Sequence, residues 1–198
     1  MDTVMQLGGD PAIETMLSRV TNGALRDPAP AGADLERIVA AGLRAPDHGK
    51  LRPWRFVAIR GKARARFAEL CIAALRVRDP EATEAEAIRM RGKLTDPPLI
   101  LALGMHVSVT PKVPETEQVQ SVAAAAMNML NAAHALGYAG KWVSGPNAYD
   151  PAVAAALGFQ APDRVIGYLY LGTPAEPAAP ARRPDVSSHL SDWTTSTT

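Results

Sequence analysis

The run "PPLILALGMHV" (97–107) constrains this chain more than any other stretch. It is too short to cross a bilayer and too uninterrupted for a strand with one wet face. The segments around it have helical periodicity. The run therefore predicts a strand over 98–107 that is buried on both faces. Such a strand needs a layer of structure on each side. A chain of 198 residues, 47% hydrophobic and 21% charged, is long enough for one domain with a real core and has an ordinary globular composition.

The rest of the chain supplies those layers. "DPAIETMLSRV" opens a helix with Asp10 as N-cap and Pro11 in the first turn. "ADLERIVAAGLR" places Leu35, Ile38, Val39 and Leu43 on one helical face and stops at Pro46. "WRFVAIR" (54–60) alternates as a strand, with Arg55, Val57 and Ile59 on one side and Trp54, Phe56 and Ala58 on the other. Helices are expected over about 62–76, about 81–94 and about 115–136, the last alanine-rich and closed by Gly137. "AGKWVSG" reads as a short strand and turn, and "DPAVAAALG" as a compact helix capped by Asp150. "DRVIGYLYLG" (163–172) reads as the last strand. This order mixes about four strands with six or more helices and shows no internal repeat. It predicts a single domain over 1–186, including a proline-rich arm from about 173 without regular structure, and a flexible tail over 187–198.

Charge and composition exclude several classes. Lys and Arg total 21 against 20 acids, a net charge of +1, which argues against a surface built for nucleic acid or anionic membrane. Cys71 is the single cysteine, so no intrachain disulfide or cysteine zinc cage forms, and its apolar helical surroundings make it a buried spectator. His48, His106, His134 and His189 have no metal-ligand spacing, so no metal site is expected. The first 25 residues hold no basic segment followed by an apolar run, which predicts no secretory signal and a cytoplasmic protein. The Rossmann glycine fingerprint, the Walker A loop and the nucleophile elbow are all missing.

Three stretches carry more polar chemistry than a bland domain needs. "SRVTNG" (18–23) offers Arg19 and Thr21, a planar fork and a hydroxyl suited to a phosphate, or else an ordinary helix end and turn. "LRAPDHGKLRPWRF" (43–56) holds Arg44 and His48 on either side of the rigid Pro46, either as a solvated connection or as an anion-facing loop. "KWVSGP" (141–146) offers an aromatic wall, a hydroxyl and backbone donors to a flat ring, or else a core tryptophan at a strand end. Taken singly, the first and third favour the structural reading and the second divides evenly.

In order and spacing, these stretches resemble the nitroreductase family of FMN-dependent oxidoreductases, in particular its short, single-domain bacterial members. The likeness rests on "DPAP" after the first helix, "RAPDHGKLRPWRF", "AAHALGYAGKWVSG" and "DRVIGYLYLGTP", and covers about residues 11–186. The resemblance implies an α+β fold, with a central, mainly antiparallel sheet flanked by helices. It also implies an intertwined homodimer with FMN at the subunit interface. By position it assigns Arg19, Val20, Thr21, Arg44, His48, Trp142, Val143 and Ser144 to the flavin. Ala132, Ala133, His134, Ala135, Leu136 and Gly137 fall to the nicotinamide nucleotide. Val20 and Gly23 stand where the family's first segment commonly carries cations.

The implied activity is transfer of hydride from NAD(P)H through FMN to a small acceptor such as a nitroaromatic or quinone, each substrate using one open face in turn. The flavin does the chemistry, so no catalytic side chain is expected. A non-catalytic flavin- or anion-binding protein on the same fold is the alternative. Nucleic-acid binding through 43–56 is disfavoured by the net charge.

Overall fold

A computed structural model describes residues 10–109, 112–178 and 183–193. Its helices are α1 (Pro11–Ser18), α2 (Gly32–Gly42), α3 (Lys62–Arg78), α4 (Glu84–Thr95), α5 (Glu115–Ala135) and α6 (Pro151–Ala156). Its strands are β1 (Leu25–Arg26), β2 (Trp54–Arg60), β3 (Leu99–Met105), β4 (Ala139–Val143) and β5 (Arg164–Pro174).

The apolar run forms β3, and all seven of its residues are buried. It lies between β2 and β5, and the outer edge of β5 is shared by β4 and β1. All four pairings are antiparallel. Alternate residues of β3 serve different cores. Ile100 and Ala102 join Phe67, Cys71, Val153 and Tyr168 under α3 and α6. Leu99, Leu101, Leu103 and Met105 join Ile38, Val122, Met129 and Leu130 under α2 and α5. Complete burial of each large aliphatic side chain contributes about 1.5–3 kcal/mol, so the strand is held from both faces.

α2 runs antiparallel to α5. Tyr138 Oη donates to Asp34 at one end, Gly42 lies against Met129 midway, and Ser121 Oγ donates to the Pro46 carbonyl beyond. Gly42 permits this approach, since a Cβ there would stand 2.8 Å from Met129 Cγ.

Several sequence expectations need correction. α4 begins at Glu84, not near 81, because Thr83 and Glu86 form a reciprocal capping box. The two-residue β1 was not anticipated, since its pairing partner, Thr173–Pro174, is remote in sequence. The segment from 173 was expected to be irregular, but Thr173 and Pro174 end β5, tied down by β1 and by Thr173 Oγ donating to the Pro28 carbonyl. Leu43, placed on the buried face of α2, lies beyond the helix as its C-cap and is 48% exposed. Across the expected start of the tail, Val186–Ser188 form a 3-10 turn, and residues 194–198 lie outside the described residues. The caps at Asp10 and Asp150 and the burial of Cys71 are as expected.

Candidate functional site

Three local structures set the site. The first is the exit from α1. The Asp10 carboxylate caps this helix and Pro11 starts it, but by Arg19 the backbone is extended (φ −62°, ψ 129°), so 19–23 leaves as open chain. Ser18 Oγ lies 3.0 Å from His134 Nε2, joining this exit to the last turn of α5. Between them opens a cleft of about 440 Å³ lined by Arg19, Val20, His134, Gly137, Tyr138 and Arg183, among others. Arg183 donates from Nη2 to the Arg19 carbonyl at 2.8 Å. Arg19 Nε is buried without a hydrogen-bond partner. Buried polar atoms are rarely left unpaired, and two guanidinium groups facing one cleft fit a phosphate. FMN satisfies that requirement.

The second structure is β4. α5 ends at Ala135 with Leu136 as its C-cap, and Gly137 (φ +82°) turns the chain into the strand. Trp142 projects to one face of β4 and lies over Gly167, where a Cβ would stand 2.4 Å from Trp142 Nε1. Val143 and Ser144 border a separate cavity of about 520 Å³ that also reaches Met90, Lys93 and Lys141. Trp142 is 39% exposed, so its indole is available to a ligand.

The third is the loop of 43–53. Gly49, Lys50 and Arg52 all have left-handed backbone (φ +72°, +55° and +51°). For the two non-glycine residues this costs about 1–2 kcal/mol each. The Asp47 carboxylate holds the turn by accepting from the N–H groups of Leu51 (3.2 Å) and Arg52 (2.8 Å). Trp54 Nε1 donates to Ser121 Oγ at 3.0 Å, fastening the loop to α5. His48 Nδ1 lies 2.5 Å from Glu117 Oε2 at the start of α5. Arg44 and His48 are exposed.

The sequence-assigned residues thus do not meet in one place. Arg19, Val20, His134 and Gly137 share one cleft, and Thr21 is exposed on the segment leading there, whereas Val143 and Ser144 border the separate cavity and Trp142 is exposed on β4. Ala133 is buried in the core, Ala132 and Leu136 are half-buried against it, and Ala135 is exposed. Arg44 and His48 sit at the far end of α5. Glu117 and His134 are separated by 17 positions on that helix, about 26 Å along its axis. Sequence reading missed Arg183, because only the folded arm brings it to Arg19. It also missed Asp47, whose spacing to Leu51 and Arg52 was a visible turn signal.

Cys71 and Asp150 are among the groups away from the cleft whose ionisation is perturbed. Burial pushes the Cys71 thiol up to about 12, so it is inert. Burial opposes ionisation of Asp150, but Arg78 and the N–H groups of Val153 and Ala152 outweigh it and hold the carboxyl below its ordinary range. Among the described residues no group of three or more His, Cys, Asp or Glu could hold a metal ion, and no helix is long and apolar enough to cross a membrane.

Fold and site together define an α+β protein with a five-stranded antiparallel sheet, an open cleft that holds Arg19 and Arg183, and an exposed tryptophan on β4. The chain belongs to the nitroreductase family, whose model matches residues 18–173. It is 38% identical over 168 residues to "Putative NAD(P)H nitroreductase YdjA" of Escherichia coli K12, covering 82% of this chain and 88% of that one. It is 32% identical over 168 residues to "Putative NAD(P)H nitroreductase" of Haemophilus influenzae, covering 84% and 90%. In fold it is similar to a nitroreductase-like family protein from Bacillus cereus (TM-score 0.79, 17% identity, 92% of this chain and 95% of that one). It is also similar to a nitroreductase with bound FMN from Bacteroides fragilis (TM-score 0.71, 22% identity, 94% and 100%).

Proposed function

We propose that this protein is an FMN-dependent oxidoreductase that moves hydride from NAD(P)H to a small acceptor, such as a nitroaromatic or a quinone, and that it works as a homodimer. The observation that carries this reading is Arg19 Nε, buried and unpartnered, in a cleft that also holds Arg183 and is bordered by Ala139 and Gly140 of β4. The family membership supports it, as do the printed names of the relatives.

When bound, the flavin supplies hydride uptake and release, and the chain supplies the rest. Arg19 and Arg183, with the Thr21 hydroxyl, hold the phosphate. Trp142 and the Val143–Ser144 backbone wall the ring, and His134 and Gly137 border the place for the nicotinamide nucleotide. Arg44 and His48 come from a second copy, because about 26 Å along α5 is longer than FMN.

Exposed apolar groups support the dimer. α1 buries none of its residues and exposes Ile13, Met16 and Leu17, and the C-terminal turn leaves Val186, Leu190 and Trp193 at 70% exposure or more. A helix this short owes its stability to packing, so α1 calls for a partner surface.

The alternative, a flavin- or anion-binding protein without turnover, drew on the uncharged Val20 and Gly23. Arg183 beside Arg19 and Lys141 beside Gly23 restore cations at both places and favour the enzyme. Purified protein is expected to be yellow and to bleach on addition of NADH or NADPH. Protein that takes up no FMN refutes the enzyme and leaves only an anion-binding protein, and bound flavin that neither nucleotide reduces also refutes the enzyme.

A further inference from the structure

Ser121 of α5 holds the 43–53 loop by two hydrogen bonds. Its Oγ donates to the Pro46 carbonyl at 2.6 Å and accepts from Trp54 Nε1 at 3.0 Å, so the chain is pinned on both sides of His48. Within the loop, the Asp47 carboxylate takes the N–H groups of Leu51 and Arg52. Glu117 stands one turn before Ser121 on the same face of α5. Its carboxylate reaches the His48 ring instead, with Oε2 2.5 Å from Nδ1. The backbone is already fixed without it.

The pair adds little to the fold. The His48 side chain is 60% exposed and that of Glu117 41%, and exposed pairs contribute little to stability. A carboxylate in the first turn favours a helix N-terminus, but Glu115 already stands there, 2.9 Å from Arg164. The other paired imidazole is different, since the Asp163 carboxylate beside His106 also accepts from the Val107 N–H and so fixes the chain path. What Glu117 sets is the His48 ring. An ionised carboxylate only accepts, so Nδ1 carries the proton and the neutral ring is left with a bare Nε2.

We propose that Glu117 is a positioning residue of the flavin site: it fixes the ring plane and tautomer of His48, so that a bare Nε2 is the atom this loop presents across the subunit boundary. The inference rests on the FMN reading above, in which His48 comes from the second copy. A bare ring nitrogen accepts and cannot donate. The phosphate and carbonyl oxygens of FMN only accept, so the groups that suit Nε2 are the ribityl hydroxyls and the ring N–H. The phosphate is left to the cleft of Arg19 and Arg183.

The first measurement needs no flavin. Nitrogen-15 NMR of the histidine rings at about pH 8, above the ordinary histidine value of about 6.5, reads the tautomer, with His48→Gln assigning the signal. His48 is expected to carry its proton on Nδ1 alone. Glu117→Met keeps the length and removes the acceptor. It should move His48 toward the Nε2–H form while Tm stays near the parent's. The second measurement titrates apoprotein with FMN and with riboflavin. Glu117→Met should weaken both by the same factor, about 2- to 12-fold, as for the loss of one hydrogen bond. Glu117→Gln, whose amide oxygen still accepts from Nδ1–H, should bind both within about twofold of the parent.

A parent His48 protonated on Nε2, alone or together with Nδ1, overturns the proposal. So does unchanged flavin affinity in Glu117→Met, or a loss confined to FMN, which would put His48 at the phosphate. Equal losses in Glu117→Met and Glu117→Gln would make charge the cause and overturn it too, and a Tm that falls with the affinity would make Glu117 structural. Parent protein that binds no FMN removes the flavin reading and this inference together; FMN binding that ignores Glu117 removes only the inference.

Discussion

Ser18 Oγ and His134 Nε2 stand 3.0 Å apart, so the end of the first helix is held by the last turn of the longest one. α1 buries no residue, so this contact and the Arg183 hydrogen bond to the Arg19 carbonyl set where Arg19 emerges. Ser18→Ala is expected to weaken FMN binding about 2- to 12-fold, the worth of one hydrogen bond of about 0.5–1.5 kcal/mol. Amide exchange in α1 should rise with it. Titration of apoprotein with FMN and hydrogen-exchange mass spectrometry check both.

Arg19→Met and Arg183→Met should each raise the FMN dissociation constant about 10- to 150-fold, corresponding to a charged hydrogen bond of about 1.5–3 kcal/mol. Riboflavin, which lacks the phosphate, should bind both variants as it binds the parent. Equal losses for the two ligands would remove these arginines from the phosphate.

A site shared between two copies predicts complementation. Arg19→Met and the double variant Arg44→Ala/His48→Ala should each be nearly inactive. Refolded as an equal mixture, they should recover about a quarter of parental sites, since half the dimers are hybrids with one intact site each. No recovery would place all these residues in a site within one chain.

Asp150 caps α6 and pairs with Arg78 while only 8% exposed. Its carboxyl is held below the ordinary value of 3.8, although burial alone would raise it. A depressed folded-state value stabilises the fold above the unfolded pKa, and that stability is lost as pH falls through the folded one. Asp150→Asn should cost about 2–4 kcal/mol at neutral pH by leaving the half-buried Arg78 charge without its carboxylate, although Arg78 keeps its hydrogen bond to Asn147. Its Tm should also fall less than the parent's between about pH 5 and about pH 3. Thermal melts at several pH values decide.

Cys71 has no exposed surface, and its thiol is pushed up to about 12. Native protein should resist alkylation by iodoacetamide for hours and react within minutes once unfolded by guanidinium. Intact-mass measurement reads the modification directly.

Local pattern made most of the architecture legible. The apolar run of β3 required cover on both faces, the alternation of 54–60 specified the two sides of β2, and proline and aspartate marked the starts of α1 and α6. These signals are written in neighbouring residues, because periodicity and capping are short-range physics. The motifs around Arg19, Arg44, His48 and Trp142 were visible too, as residue types in order. Their distances were not, because spacing along a chain carries no information about its return path. The fold set Arg183 against Arg19 across 164 positions, placed Lys141 under Gly23, and put the Arg44–His48 loop at the opposite end of α5 from the cleft. Sequence determined the layers and the chemistry at hand. Tertiary structure decided which charges meet, because burial and pairing arise only where remote segments close on one another.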